Sequence, residues 1–347
     1  MAGQKIGFLP AVIRGLLKAL SLVYRLVIAV RNSLYNIKVL RTHKVPVPVI
    51  SVGNITAGGT GKTPMVIWLC QYLAQKPLAV LTRGYKTKTG AVSSDEPAMI
   101  SQSCPHAKTI VNPNRSLAAD KAVKNYNAKV LIMDDGFQHR KLARDLDILT
   151  IDATNPFGFE KMLPAGLLRE PLSQLKRAHA AVITRCDQAS TQQIDTIENK
   201  LRQINPKILV ARSIHQPVQI RGIRDFTIQL DDLKDTPVCA FCGIGNPQSF
   251  FQTLENIGAN LVAKIPFNDH HTYSQSDLHS IYAQARENNA QIIIATQKDW
   301  TKTVLLAQNN SEIPMAYLEI KLKFIAAQQE ITALIDQTIQ GTIDASD

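Results

Sequence analysis

The most chemically pointed stretch of this sequence is a glycine-rich run, Val49-Ile-Ser-Val-Gly53-Asn-Ile-Thr-Ala-Gly58-Gly59-Thr60-Gly61-Lys62-Thr63. An apolar strand leads into glycines whose backbone can fold N–H groups inward, and a helix is expected to start beyond them. Such a concavity takes anions, and the helix N-terminus adds positive potential. Lys62 then reaches the β and γ phosphates of a nucleoside triphosphate, and the Thr63 hydroxyl can ligate Mg²⁺. The expected nucleotide-binding residues are therefore Gly58, Gly59, Thr60, Gly61, Lys62 and Thr63, with ATP and Mg²⁺ as the implied cofactors. The spacing departs from the usual Walker A pattern at one place, because the first glycine would fall at Thr56 and Gly53 lies three residues earlier.

A second element supports the first. Val130-Leu-Ile-Met-Asp134-Asp135 is an apolar strand ending in two acids, as a Walker B element does. Either Asp134 or Asp135 can hold the metal, directly or through water. Thr184-Arg-Cys-Asp187 resembles the Thr-Lys-x-Asp pattern by which GTPases read guanine, although Arg185 replaces the lysine. It defines an alternative, a P-loop GTPase of the metallochaperone or targeting type.

The elements that must position these residues are short apolar runs separated by Gly and polar loops. Strands are expected at 49–52, 78–81, 130–133, 148–151 and 180–183, with helices at 64–73 and 115–125 between them. Alternation of this kind indicates a parallel sheet covered on both faces. The expected fold class is α/β, a P-loop NTPase-like α/β/α sandwich. After a junction with a charged cluster at 213–235, a second α/β unit follows, with strands near 238–242, 260–265, 291–295 and 315–319. The boundaries expected are 1–40 for an N-terminal helix, 41–215 for the kinase domain, 216–236 for a linker and 237–347 for the smaller domain.

Composition places the 347 residues among folded globular chains, with 45% apolar content. The formal charge of +11 is concentrated at one end, since thirteen Lys and Arg but no Asp or Glu precede Asp95. An anionic partner is therefore to be sought in the N-terminal quarter. Residues 8–35 read as a helix on which Arg14, Lys18, Ser21, Arg25 and Asn32 share a narrow wedge beside a wide apolar face. Cations recur too often for a membrane span, and they run through the region a signal peptide would keep apolar. The expectation is an interfacial helix with its basic stripe on anionic headgroups. Nucleic acid is disfavoured, because the positive charge lies on an apolar-faced helix rather than an aromatic-studded groove. Cys70, Cys104, Cys186, Cys239 and Cys242 are odd in number and scattered, which argues for buried thiols in a reducing compartment and against a disulfide framework.

Taken together, the motifs resemble the tetraacyldisaccharide 4'-kinase family of the lipid A pathway. The blocks that carry the resemblance are Ser51-Val-Gly-Asn-Ile with Gly58-Gly-Thr-Gly-Lys-Thr-Pro64, Thr82-Arg-Gly-Tyr85, Asp95-Glu-Pro97, Asp134-Asp-Gly-Phe-Gln-His139, Leu163-Pro-Ala-Gly-Leu-Leu-Arg-Glu-Pro171, Gly243-Ile-Gly-Asn-Pro247, Phe267-x-Asp-His-His-x-Tyr273 and Thr296-x-Lys-Asp299. This resemblance implies two α/β/α domains joined by a short β linker, in a monomer at the cytoplasmic face of the inner membrane. Its implied substrate is an acylated glucosamine disaccharide 1-phosphate, phosphorylated on the 4'-hydroxyl. Such a lipid is anionic and membrane-resident, in keeping with the basic helix.

For the site, the resemblance implies that Asp95 is a catalytic aspartate, partnered by a histidine of the second domain and brought to it by domain closure. That histidine is His270 in the first place and His271 in the second. Asp95 is otherwise read as a helix N-cap, with Glu96 and Pro97 in the first turn. Lys62 with Thr63, the strand-end acids and Mg²⁺ would neutralise the transferred charge. Arg83, Arg115 and Arg169 are candidates for clamping phosphates. Gln138 and His139 follow the acid pair toward the substrate, and Glu170 is a candidate support for the metal site.

Overall fold

The computed structural model describes residues 7–86, 92–93, 95–223, 226–307 and 313–344. In chain order the first elements are α1 (Phe8–Asn36), β1 (Val49–Gly53), α2 (Lys62–Tyr72), β2 (Leu78–Thr82), β3 (Tyr85–Lys86), β4 (Val92–Ser93), α3 (Asp95–Ser103), β5 (Lys108–Val111), α4 (Arg115–Tyr126), β6 (Val130–Asp134), β7 (Leu146–Asp152), β8 (Ala180–Thr184) and α5 (Thr191–Ile204). They continue with β9 (Leu209–Gly222), β10 (Thr227–Ile228), β11 (Pro237–Cys242), α6 (Pro247–Asn256), β12 (Asn260–Pro266), α7 (Gln275–Glu287), β13 (Ile292–Thr296), α8 (Gln297–Ala307), β14 (Met315–Ala326) and α9 (Gln328–Asp344). The chain divides into two compact units, one of residues 1–83, 104–214 and 324–347, the other of 84–103 and 215–323.

The first unit is built on a parallel sheet in the order β5-β2-β6-β1-β7-β8-β9. Every residue of β1, β2, β6, β7 and β8 is buried. Strands covered on both faces read as continuous apolar runs, which is why the sequence shows them so clearly. β1 is central, and the crevice outside the carboxyl ends of such strands is where open α/β sheets take ligands. The glycine loop leaves β1 there, beside the end of β6 that carries Asp134.

In the second unit β12, β11, β13 and β14 form a parallel sheet, with the second half of β9 beside β14 and β10 turned back antiparallel on β9. Helix α3 packs on α8 within the same unit.

Two expected boundaries are corrected by this partition. Residues 84–103 were assigned to the kinase domain, yet α3 makes its contacts with α8 and belongs to the second unit. The C-terminal residues 324–344 fall in the expected smaller domain, yet they complete the first unit. Phe324 meets the Trp68 ring edge-on at 4.8 Å, and Tyr72 donates its hydroxyl to Asp336 at 2.7 Å. The expected linker is the end of a 14-residue strand, β9, plus the short β10.

Helix α1 forms where its periodicity predicts and docks on the first unit, with Leu17, Ser21, Tyr24, Ile28, Arg31 and Tyr35 recurring every three or four residues along the covered side. Ile28 joins the apolar cluster of Ile55, Phe137 and Leu168. Ser21 donates to the Met162 carbonyl at 2.9 Å, and Arg140 reaches the Asn32 carbonyl at 3.0 Å and the Asn36 side chain at 2.9 Å. Part of the expected lipid-facing polar stripe, Ser21 and Asn32, is thus turned inward onto protein, because their hydrogen bonds are satisfied there. Arg14, Lys18 and Arg25 stay exposed. Leu9, Val12, Ile13, Leu16, Leu20, Val23 and Val27 are exposed as well. No described helix is long and apolar enough to cross a membrane.

Candidate active site

Gly61 caps α2 with φ of 85°, a left-handed conformation that favours glycine, so the chain turns directly from the loop into the helix that starts at Lys62. Gly53 is needed for a different reason. A Cβ there would lie 2.7 Å from that of Phe137, so the end of β1 and the turn after Asp135 could not approach so closely. At Thr56 the backbone pairs strand-fashion with Leu168, and the Ala57 N–H donates to the Leu167 carbonyl at 2.7 Å. The position where a first glycine is usual is therefore a braced, extended one that needs no glycine.

The base of the loop is held by hydroxyls and one arginine. Thr150 donates to the Gly53 carbonyl at 3.2 Å and lies 2.8 Å from the Thr60 hydroxyl, while Thr184 donates to the Thr60 carbonyl at 3.0 Å. Arg185 donates to the Gly59 carbonyl at 2.9 Å and pairs with Asp152. Carbonyls engaged in this way leave the concave side of the loop to its N–H groups.

Three charged side chains meet beside it. The Lys62 ammonium lies 3.8 Å from Asp135, which is itself gripped by Arg169 through two bonds of 2.7 and 3.0 Å. Arg169 also donates to the Asn54 side chain at 3.0 Å. Burial alone would raise the Asp135 pKa, but Lys62, Arg169 and Arg115 overcome it and hold the carboxyl well below the usual carboxylate range. Asp134, 2% exposed, accepts from the Thr82 hydroxyl at 3.4 Å, and its carbonyl accepts from Arg115 at 3.2 Å. Thr63, Asp134 and Asp135 offer only oxygen donors, a set that suits a hard cation such as Mg²⁺. Gln138 donates to the Asn54 carbonyl at 2.8 Å. Burial pulls His139 down to about 4, assisted by Arg115, Arg144, Lys141 and Arg83, so its ring is neutral near pH 7. Its Nε2 is buried with no hydrogen-bond partner among the described residues.

The second unit carries its own cluster. Asp299, fully buried, accepts from the Gly243 N–H at 2.9 Å, from the Tyr273 hydroxyl at 3.0 Å and from Thr296. This knot ties the end of β11, the β13–α8 corner and the 267–273 loop together. On that loop Lys298 donates to Asp269 at 3.0 Å and lies 3.4 Å from the His270 Nε2. Burial and then Lys298 lower the His270 pKa, against Asp269 and Glu96, which raise it. His271 is committed elsewhere, stacked on Phe267 at 4.7 Å and 3.3 Å from Asp277.

The family model for tetraacyldisaccharide-1-P 4'-kinase matches residues 13–340. A tetraacyldisaccharide 4'-kinase of Halothermothrix orenii is 38% identical over 315 residues, which is 83% of this chain and 82% of its own. That of Syntrophus aciditrophicus is 38% identical over 339 residues, 89% and 88% of the two chains. The chain belongs to the tetraacyldisaccharide 4'-kinase family. A solved structure of LpxK from Aquifex aeolicus, an "apo" form in complex with ATP, covers 94% of this kinase and 99% of its own chain at 28% identity and a TM-score of 0.69.

In this kinase the sequence-predicted residues Lys62, Asp135 and Arg169 are brought into direct contact, and Asp134, Arg115, Gln138 and His139 surround them. Arg83 is exposed just after β2. Asp95 opens α3, but its side chain lies outside the described residues. Helix α3, which Asp95 opens, and the loop that carries His270 fall in one unit.

Glu170 is a correction. It is 0% exposed, and its two oxygens are taken by Arg31 and Arg177, with Asn32 donating at 3.3 Å. Both oxygens are thus turned to protein cations rather than offered to a metal in this structure. The GTPase alternative is not favoured, because Arg185 at its motif is turned to Asp152 and the loop. Sequence reasoning missed Asn54, Thr150, Asp152, Thr184 and Arg185 as supports of the phosphate loop. The signal was present in the polar residues toward the carboxyl ends of β7, which pairs with β1, and of β8, which pairs with β7.

Proposed function

We propose that this kinase transfers the γ-phosphate of ATP to the 4'-hydroxyl of a tetraacylated glucosamine disaccharide 1-phosphate, working as a peripheral protein at the cytoplasmic face of the inner membrane. The observation that carries the reading is the Lys62–Asp135–Arg169 cluster at a braced glycine loop, in a chain matched to the family over residues 13–340.

Phosphoryl transfer needs positioning and charge neutralisation more than covalent chemistry. Gly58 to Thr63 would cradle the phosphates by backbone N–H groups, with Lys62 on the β and γ oxygens. Thr63 with Asp134 or Asp135 would hold Mg²⁺, which when bound spreads the charge that builds on the transferred group. Arg115, Arg169, Arg83 and the neutral His139 are candidates for contacts to the substrate's phosphate and sugar oxygens, and the unpartnered His139 Nε2 fits a ligand hydrogen bond.

The acceptor hydroxyl needs somewhere for its proton, and Asp95 is the proposed acceptor with His270 as the group that orients and polarises it. His270 is favoured over His271, whose ring is already packed and paired. The proximity of Glu96 to His270, felt as an electrostatic influence, supports this pairing. The exposed apolar side of α1, flanked by Arg14, Lys18 and Arg25, fits the headgroup boundary of an anionic lipid surface.

The test is γ-labelled ATP with a tetraacylated disaccharide 1-phosphate in mixed micelles, scored for a labelled 1,4'-bisphosphate. Label transferred from ATP and not competed by GTP is the expected result. Nucleotide binding with no label on the lipid would overturn the acceptor assignment.

A further inference from the structure

We propose that Tyr24 and Arg31, on helix α1, are positioning residues for the bound nucleotide, acting through the strap of residues 167–170. The proposal rests on the nucleotide reading above.

The strap has two sides. Toward the loop, Ala57 donates to the Leu167 carbonyl at 2.7 Å, Thr56 bridges Leu168, and the Arg169 N–H donates to the Ile55 carbonyl at 2.8 Å. The Arg169 guanidinium continues to Asn54 and Asp135. Toward α1, the Tyr24 hydroxyl donates to the Arg169 carbonyl at 3.0 Å, and the next residue, Glu170, is held by Arg31 and Asn32. Consecutive residues of one short segment thus bind the phosphate loop and the helix.

Charge makes this connection strict. Glu170 is fully buried, and two guanidiniums, Arg31 from α1 and Arg177 from the body, share its carboxyl oxygens. Removing one leaves a buried charge under-compensated, and the segment must shift to recover solvation or a partner. That segment sets Arg169, and Arg169 sets Asp135 beside Lys62. A displacement of about 1 Å at reacting groups is enough to cost about 10²-fold in rate.

The experiment measures equilibrium binding of a fluorescent ATP analogue with Mg²⁺ to the full chain, together with Tm. Four variants are compared with the parent: Tyr24→Phe, Arg31→Met, Glu170→Gln and the double variant Arg31→Met/Glu170→Gln. Tyr24→Phe keeps the ring and deletes one hydrogen bond, so nucleotide affinity should fall about 3- to 10-fold, the worth of one such bond, with little change in Tm. Arg31→Met should weaken binding further, and the double variant, which removes the stranded charge, should recover much of the loss. KM for ATP should rise while KM for the lipid acceptor stays.

Unchanged nucleotide affinity in Tyr24→Phe, or a lowered Tm with normal affinity in Arg31→Met, would overturn the proposal and leave these residues as anchors of α1 alone. If Arg31→Met does not fold, Tyr24→Phe decides. A parent protein that fails to bind the analogue would instead refute the underlying nucleotide reading.

Discussion

Asp135 stands between two cations, 3.8 Å from the Lys62 ammonium and 2.7 Å from the Arg169 guanidinium, and all three side chains are largely shielded from solvent. One anion shared by two cations leaves the trio with a net positive charge beside the phosphate loop. An entering polyphosphate can therefore draw Lys62 to itself while Arg169 still compensates Asp135. The two strand-end acids are not equivalent in this arrangement, since Asp134 is tied to Thr82 and Asp135 to the cations.

Asp135→Asn is expected to lower kcat by about 10²- to 10³-fold, the range for loss of one preorganised electrostatic contact, and to raise the Mg²⁺ needed for half-maximal rate. Asp134→Asn measured in the same titration identifies the inner ligand, because the substitution that shifts the Mg²⁺ requirement more is at that position. No shift in either variant would remove both from the metal site.

The charge state of His270 gives a pH prediction. Burial and Lys298 hold its pKa below the ordinary value, so the neutral ring persists as pH falls through 6.5. Replacing Lys298 by Met removes the cation 3.4 Å away and raises that pKa, so the acid limb of the kcat profile should move to higher pH. His270→Ala should lower kcat by about 10²-fold or more with ATP affinity unchanged. An acid limb that stays in place in Lys298→Met would separate His270 from the rate.

His139 makes a stability prediction of defined sign. Its folded pKa of about 4 lies below the ordinary 6.5, so between those values the unfolded chain binds the proton and the folded one does not. Stability contributed by the neutral ring is full above 6.5 and is lost as pH falls toward 4. His139→Gln should therefore lose less Tm than the parent between pH 7 and pH 5, as read by thermal denaturation.

Membrane attachment is best tested on the outward side of α1 alone. Leu16, Leu20, Val23 and Val27 are exposed, and replacing them by Ser should abolish flotation with anionic vesicles while nucleotide binding remains. Deleting residues 1–35 outright is a poorer experiment, because it removes Arg31 and strands Glu170 with Arg177. Retained flotation of the four-fold Ser variant would refute the interfacial role.

Much of the fold was legible because the strands of the first unit are buried on both faces and so appear as unbroken runs such as Val130–Asp134. The motif residues were legible because glycine, lysine and paired acids are rarely grouped for other reasons. What the sequence hid is non-local. Nothing near Asp95 announces that α3 leaves the first unit for α8, or that Phe324 returns to Trp68. The periodicity of α1 was plain, but a helical wheel shows which residues share a side and not which side is covered. Arg185 looked like part of a base-reading motif, and only its ion pair with Asp152 reveals a brace for the loop.

The docking of α1 also has a consequence for synthesis. Arg31 and Glu170 are 139 residues apart in the chain. At about 5–20 residues per second, Arg31 is added roughly 7–28 s before its counter-ion is made. During that interval α1 lacks the Leu168 and Glu170 part of the surface on which it docks. A lipid bilayer close to the translating ribosome would be the first available shelter, so the order of events would be attachment first and assembly of the phosphate site afterwards.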